Sequence, residues 1–250
     1  LARHRIVDHA ADGVAVRMDA DRHAPQRQPA REVRRPVDRV EDPQRRAAVP
    51  SGRQPLFLAQ DRVRFGVSAA EGIAAEVAMR NAKRVFVVTG RSLNRMTTAV
   101  GEAIATVQDK VVGLFDECIE HTPRDTVIAL TRRLRETRAD LIVSIGGGTV
   151  IDTVKVALVC LAEGVDDVEA MGQWHMRVDA DGTRHTPQPR MPPCRQIAVP
   201  TTLSGAEFSD MGGCTDTRHG TKQGYTGQHI GAAAVILDPR ITVHTPARLW

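Results

Sequence analysis

The residues best placed to do chemistry lie in Asp140-Leu-Ile-Val-Ser-Ile-Gly146-Gly147-Gly148-Thr149-Val-Ile-Asp152-Thr-Val-Lys155. Glycines between a buried strand and a helix N-terminus let a phosphate reach bare backbone N–H groups at the positive end of the helix dipole. A tight strand-to-helix turn would use the same glycines, so the triplet alone leaves both readings open. A second constellation is Pro200-Thr201-Thr202-Leu203-Ser204-Gly205-Ala206-Glu207, where hydroxyls and a glycine follow a short apolar run. It offers hydrogen-bond donors, or equally a Thr/Ser turn that caps a helix. A third is Gly220-Thr221-Lys222, followed after a gap by Val235-Ile-Leu-Asp238-Pro239, Thr242 and Thr245-Pro246.

These residues need elements to position them. Leu141 to Ile145 has the length and β-branched content of a fully buried parallel strand. Thr149 with Asp152 three residues on has the spacing of a capping box. Val150, Val154, Leu158 and Leu161 then form a helical apolar stripe that ends at Gly164. Upstream, Leu56–Leu58 and Val63–Phe65 are expected to be short strands around a turn at Gln60-Asp61, and Ala69 to Arg80 an amphipathic helix. Arg84 to Thr89 reads as a buried strand ending in Gly90, Ser92 to Val107 as a helix, and Val111 to Phe115 as the next strand. Thr122-Pro123-Arg124-Asp125 has a cap, a proline for the first helical position and an acid, opening a helix to about Thr137. Residues 173–193 are polar and rich in Pro and Gly, as in a long loop or hairpin, and further strands are expected at Gln196–Val199 and Ala234–Leu237. Repeated strand–helix alternation calls for an α/β fold, a Rossmann-like parallel sheet with helices on both faces. Ligands bind such sheets at the carboxyl ends of the strands, where Gly90, the glycine triplet and the turn after Val199 would meet.

Composition narrows the function classes. At 250 residues and 42% hydrophobic the chain can bury a real core. No apolar run approaches the roughly 20 residues that span a bilayer, so no membrane partner is expected. The first residues carry charge and lack the apolar stretch of a signal peptide. The cysteines Cys118, Cys160, Cys194 and Cys214 are scattered without a CxxC pair, the usage of a reducing cytoplasm. Residues 1–60 hold twelve arginines against eight carboxylates, and the rest balances at 22 basic and 22 acidic. The pI near 9.2 is therefore not the basic stripe of a nucleic-acid binder, and no nucleic-acid partner is expected. Residues 1–53 are rich in Arg, Ala, Asp and Pro, lack aromatics and show no sustained period. They are expected to be disordered, or a spurious leader translated from an upstream start; the chain begins with Leu1. Residues 54–240 are expected to form the folded α/β domain. No histidine partner to Ser204 is recognisable from spacing, and Cys160 lies on the apolar stripe of its helix.

The three constellations in this order resemble the iron-containing (group III) alcohol dehydrogenase family. Its superfamily includes maleylacetate reductases, glycerol dehydrogenases and, more distantly, dehydroquinate synthases. The resemblance runs from about Leu56 to Trp250 and makes residues 54–240 a dinucleotide-binding domain. It implies a metal-dependent, NAD(P)-dependent oxidoreductase acting on a small alcohol or carbonyl compound, with a homodimer as a compatible full-length assembly. It also implies that Gly146, Gly147, Gly148 and Thr149 cradle the cofactor pyrophosphate and that Asp152 orders the helix start. By the same resemblance Thr201, Thr202 and Ser204 line the cleft, and Lys222 reaches the cofactor ribose.

The chain departs from the family pattern twice. Members that prefer NAD have an aspartate after the first Rossmann-like strand, where this chain has Gly90-Arg91-Ser92. Losing that acid removes a repulsion against a 2′-phosphate, and Arg91 or Arg95 could pair with one. NADP tolerance or preference over NAD is therefore expected. The family's divalent metal, Fe²⁺ or Zn²⁺, is held by one aspartate and three histidines of a helical domain that follows the Thr-Pro segment. This chain reaches only Trp250, so residues 241–250 are expected to begin a linker to a helical metal-binding domain absent here. His175, His185, His219, His229 and His244 have no helical ligand spacing and are not expected to bind metal. Two other readings stay open: a dehydroquinate-synthase-like lyase, and a non-catalytic nucleotide-binding module.

Overall fold

A computed structural model of the protein describes residues 60–249. The expectations for residues 1–53 and for a strand at Leu56–Leu58 lie outside the described residues. Those described run β1 (Arg62–Phe65), α1 (Ala69–Met79), β2 (Val85–Thr89), α2 (Arg91–Met96), α3 (Ala99–Ile104) and β3 (Val111–Phe115). They continue with α4 (Arg124–Thr137), β4 (Leu141–Gly146), α5 (Gly148–Glu163), β5 (Arg177–Val178) and β6 (Arg184–His185). Then follow β7 (Arg195–Pro200), β8 (Met211–Asp216), β9 (Thr221–Thr226), β10 (Ala232–Leu237) and α6 (Pro239–Thr242). Six strands form one sheet in the order β1-β10-β7-β4-β2-β3, with every neighbouring pair parallel. The short hairpins β5–β6 and β8–β9 are antiparallel.

The two-residue period of the strands divides the core between two faces. Phe86 and Val88 of β2 point toward α4 and α5 and pack with Val127, Leu130 and Val154. Val85 and Val87 point the other way, toward α1 and α3, and pack with Ile73, Val77 and Val100. Because both faces are covered, β2 and β4 are buried at every position and read as near-continuous apolar runs, interrupted by Thr89 and Ser144. Each fully buried Leu, Ile, Phe or Val in them contributes on the order of 1.5–3 kcal/mol. From β2 the chain leaves toward β3 over one face, and from β4 it leaves toward β7 over the other. The carboxyl ends of β2 and β4 therefore flank the point where the winding reverses.

Four local expectations are corrected. No turn forms at Gln60-Asp61, because the Asp61 amide already donates to the Ala233 carbonyl (2.7 Å), so pairing with β10 has begun. The helix expected from Ser92 to Val107 is broken at Thr97, which is extended. Its hydroxyl donates to the Leu93 carbonyl (2.5 Å) and accepts from the Ala99 amide (3.2 Å), replacing the helix's own bonds. Pro123, not Thr122, is the N-cap of α4, and Thr122 has φ +53. The capping box at Thr149 and Asp152 is absent: α5 starts two residues early, with Gly147 as an extended N-cap and no side-chain cap. The stripe from Val150 to Leu158 is buried as expected, and Gly164 closes α5 at φ +70.

Candidate nucleotide cleft

At that reversal point lies a cleft of about 1110 Å³. One wall is the β2–α2 turn, with Gly90, Arg91 and Ser92; the floor is Gly146, Gly147, Gly148 and Thr149; the far wall is Thr201, Thr202 and Ser204. Of the residues assigned to the cofactor from sequence, the fold brings these ten together. The three floor glycines all avoid positive φ, so backbone strain does not explain them. Close approach does. A Cβ on Gly147 would stand 3.0 Å from both the methyl and the hydroxyl of Thr202. One on Gly148 would stand 3.0 Å from Ser204 Oγ, and one on Gly146 2.6 Å from a methyl of Val150. Contacts this tight force the neighbour to shift, so Gly147 and Gly148 let the two loops close upon each other, and Gly146 makes room for Val150 of α5.

The loops are laced together. The Thr201 amide donates to the Gly146 carbonyl (3.0 Å), and Thr245 Oγ1 donates to the Thr201 carbonyl (2.6 Å). Gly205 turns the chain at φ +71, a conformation that favours glycine. No side chain caps α5, and while the Val150 and Ile151 amides donate to the Gly147 carbonyl (3.0 and 3.2 Å), those of Gly148 and Thr149 are left open. A sixteen-residue helix thus opens into the cleft with bare donors and the positive end of its dipole.

Asp152 and Lys222 lie outside the cleft lining. Asp152 Oδ2 accepts from the Gly213 amide of β8 (2.9 Å), and Lys222 stands across the hairpin from Thr215. Asp152 therefore fastens the β8–β9 hairpin to α5 and does not order the start of the helix. Lys155, buried on the same helix, donates Nζ to the carbonyls of Ala206 (2.5 Å) and Met211 (2.9 Å). Burial pushes its ammonium down from the ordinary value, and the Asp152 charge offsets part of this. Arg95, a candidate partner for a phosphate, is already engaged. Its Nε and a terminal nitrogen bind the two carboxylate oxygens of Asp116 at 2.8 and 3.1 Å. Arg91 remains, exposed on the cleft wall.

Sequence reasoning gave no cleft role to several lining residues: Cys118, Glu120 and His121 after β3, and near the end of the described chain His244, Arg248 and Thr245, the last noted only within the Thr-Pro segment. The edge rule held the signal for the first three, since the loop after β3 also leaves a carboxyl end. Burial pushes the Cys118 thiol up to about 12, so it is not a poised nucleophile. Among the described residues no group of three or more His, Cys, Asp or Glu is placed to hold a metal ion. No described helix is long and apolar enough to cross a membrane.

Comparison with known proteins gives one consistent picture. The profile described as "Iron-containing alcohol dehydrogenase" matches residues 60–239. Dehydrogenase FUM7 of Gibberella moniliformis is 34% identical over 192 residues, covering 75% of this chain and 45% of its own. Phosphonoacetaldehyde reductase of Streptomyces viridochromogenes is 38% identical over 121 residues, covering 48% of this chain and 29% of its own. Among solved structures, sulfoacetaldehyde reductase from Bifidobacterium kashiwanohense, in complex with NAD+, superposes with a TM-score of 0.64 at 22% identity. That match covers 79% of this chain and 50% of the other. The chain thus spans less than half the length of these curated relatives.

Proposed function

Since this chain belongs to the iron-containing alcohol dehydrogenase family, we propose that it is the nucleotide-binding portion of an NAD(P)-dependent alcohol dehydrogenase or carbonyl reductase. The observation that carries the reading is the glycine floor. Bare amides at the mouth of α5 sit in a cleft of about 1110 Å³, at the point where the sheet reverses its winding. When bound, the dinucleotide supplies the hydride chemistry, and the chain positions it.

In this reading the amides of Gly148 and Thr149 meet the pyrophosphate, and the α5 dipole favours its negative charge. The hydroxyls of Thr201, Thr202 and Ser204 on the facing loop hydrogen-bond the rest of the dinucleotide. The wall at Gly90 leaves space at the ribose, since a Cβ there would meet nothing within 4 Å. That space, with Arg91 beside it, favours tolerance of a 2′-phosphate, hence NADP(H) as well as NAD(H). A small alcohol or carbonyl compound as substrate is supported by relatives named as dehydrogenases and as a phosphonoacetaldehyde reductase. The described residues do not fit a divalent ion, and no step is assigned to one.

Titrating the protein with NADH and with NADPH, followed by nicotinamide fluorescence, tests the reading. Saturable binding that Gly147→Val abolishes supports it. Binding of neither dinucleotide at millimolar concentration removes it.

A further inference from the structure

Helix α2 carries Arg91 and Ser92 into the cleft, yet none of its six residues is buried. Half-buried Leu93 packs against the apolar core, and the rest of the hold on α2 is polar. Its polar anchor is Asp116, just past the end of β3, whose carboxylate accepts from Asn94 Nδ2 (2.9 Å) and from Arg95 through two nitrogens (2.8 and 3.1 Å). Asp116 is only 7% exposed, and the adjoining residue Glu117 forms a β-bridge with Gly90. The end of β3 thus clasps the β2–α2 turn from both sides. The clasp also has an electrostatic effect. Arg95 stands one helical turn from Arg91, its side chain 58% exposed, with its guanidinium drawn back onto Asp116.

We propose that Asp116 is a positioning and selectivity residue for the nucleotide's 2′ substituent: it pins α2 at the cleft wall and withholds Arg95, leaving Arg91 as the guanidinium of α2 that faces a 2′-phosphate. The proposal rests on the dinucleotide reading above and adds to it the residue that sets the discrimination. Bidentate carboxylate pairing takes up the Nε–Nη2 edge of the guanidinium and offsets its charge. Replacing the carboxylate removes an anion near the 2′ position and frees a cation; both changes favour a phosphate over a hydroxyl. Removing Arg95 does the opposite, because Asp116 then keeps only the Asn94 hydrogen bond and the Arg91 charge to offset its own.

The test measures dissociation constants for NADPH and NADH with the wild type, Asp116→Asn and Arg95→Met, each at low and high salt, with thermal midpoints alongside. Asp116→Asn is expected to raise the NADPH-to-NADH affinity ratio about fivefold at low salt, and high salt should erase most of that gain. Arg95→Met is expected to lower the ratio by about threefold. A purely structural clasp would weaken both dinucleotides in parallel at an unchanged ratio, and that result overturns the proposal. If Asp116→Asn does not fold, Arg95→Met decides alone, and an unchanged ratio there also overturns it. Failure of the wild type to bind either dinucleotide instead removes the underlying reading, and is distinguished by that.

Discussion

Helix α5 borders two regions that treat polar groups in opposite ways. At its N-terminus the amides are uncapped, the neighbouring hydroxyls face a cleft, and the glycines carry no side chain that could fill the space. On its flank, where the β8–β9 hairpin packs, polar groups are tied down. Arg124 is 4% exposed and binds Asp216, Gln223 and the Val168 carbonyl, while Lys155 and Asp152 bind the hairpin's backbone and that of the segment leading into it. Burying polar groups is costly unless they are paired, so the flank spends its charges on holding the fold together. The N-terminus leaves its donors open, which is useful only if something else fills them.

The comparison predicts that the two regions respond separately. The largest effect is expected on the flank. Arg124→Met removes one partner of a buried pair and should cost about 3–5 kcal/mol of stability, read as a lowered denaturant midpoint. Dinucleotide affinity of the molecules that remain folded should hold; a parallel loss of affinity would break the separation. Gly147→Val is the reciprocal change. It pushes a side chain against Thr202 and into the cradle, and should weaken dinucleotide binding about 100-fold, or roughly 2.7 kcal/mol, with a smaller drop in the melting midpoint than Arg124→Met gives. Gly90→Asp enters open space, so it should leave the fold intact. It should move selectivity toward NADH about tenfold through repulsion of a 2′-phosphate, and an unchanged ratio would show that the wall at Gly90 does not read the ribose.

Acid gives the smallest effect. The His219, Arg218 and Arg124 side chains hold Asp216 well below the usual carboxylate range. Its contribution is therefore complete above the ordinary value of 3.8 and is lost as pH falls through the lower folded-state value. An acid melt of wild type should show hairpin loss in that window, and Asp216→Asn should flatten the slope there.

Strands β2, β3, β4, β7 and β10, helix α4 and the meeting of Gly90, Gly146–Gly148 and Thr201–Ser204 at one edge were legible in the sequence. Each is written in local patterns: apolar runs of strand length, a glycine turn, and the rule that ligands meet strand carboxyl ends. What failed had a non-local or competing partner. Thr149-x-x-Asp152 has the spacing of a capping box, but Asp152 finds the Gly213 amide 61 residues away. The stretch from Ser92 to Val107 has helical composition throughout, yet the Thr97 hydroxyl outcompetes the backbone and splits it. Arg95 looked like a free cation because its partner Asp116 lies 21 residues on, past the end of the next strand.

The pairing of β1 with β10 also bears on how the protein is made. Gln60, leading into β1, hydrogen-bonds the Ala232 carbonyl of β10, a separation of 172 residues. A ribosome adding about 5–20 residues per second takes roughly 10–30 s to cover that interval. For all that time β10, the strand that β1 pairs with, has yet to be made. Contacts of such span also slow refolding from denaturant. The earliest strand described is thus the last to find its place, and it is the element most in need of a chaperone's cover while the rest of the sheet assembles.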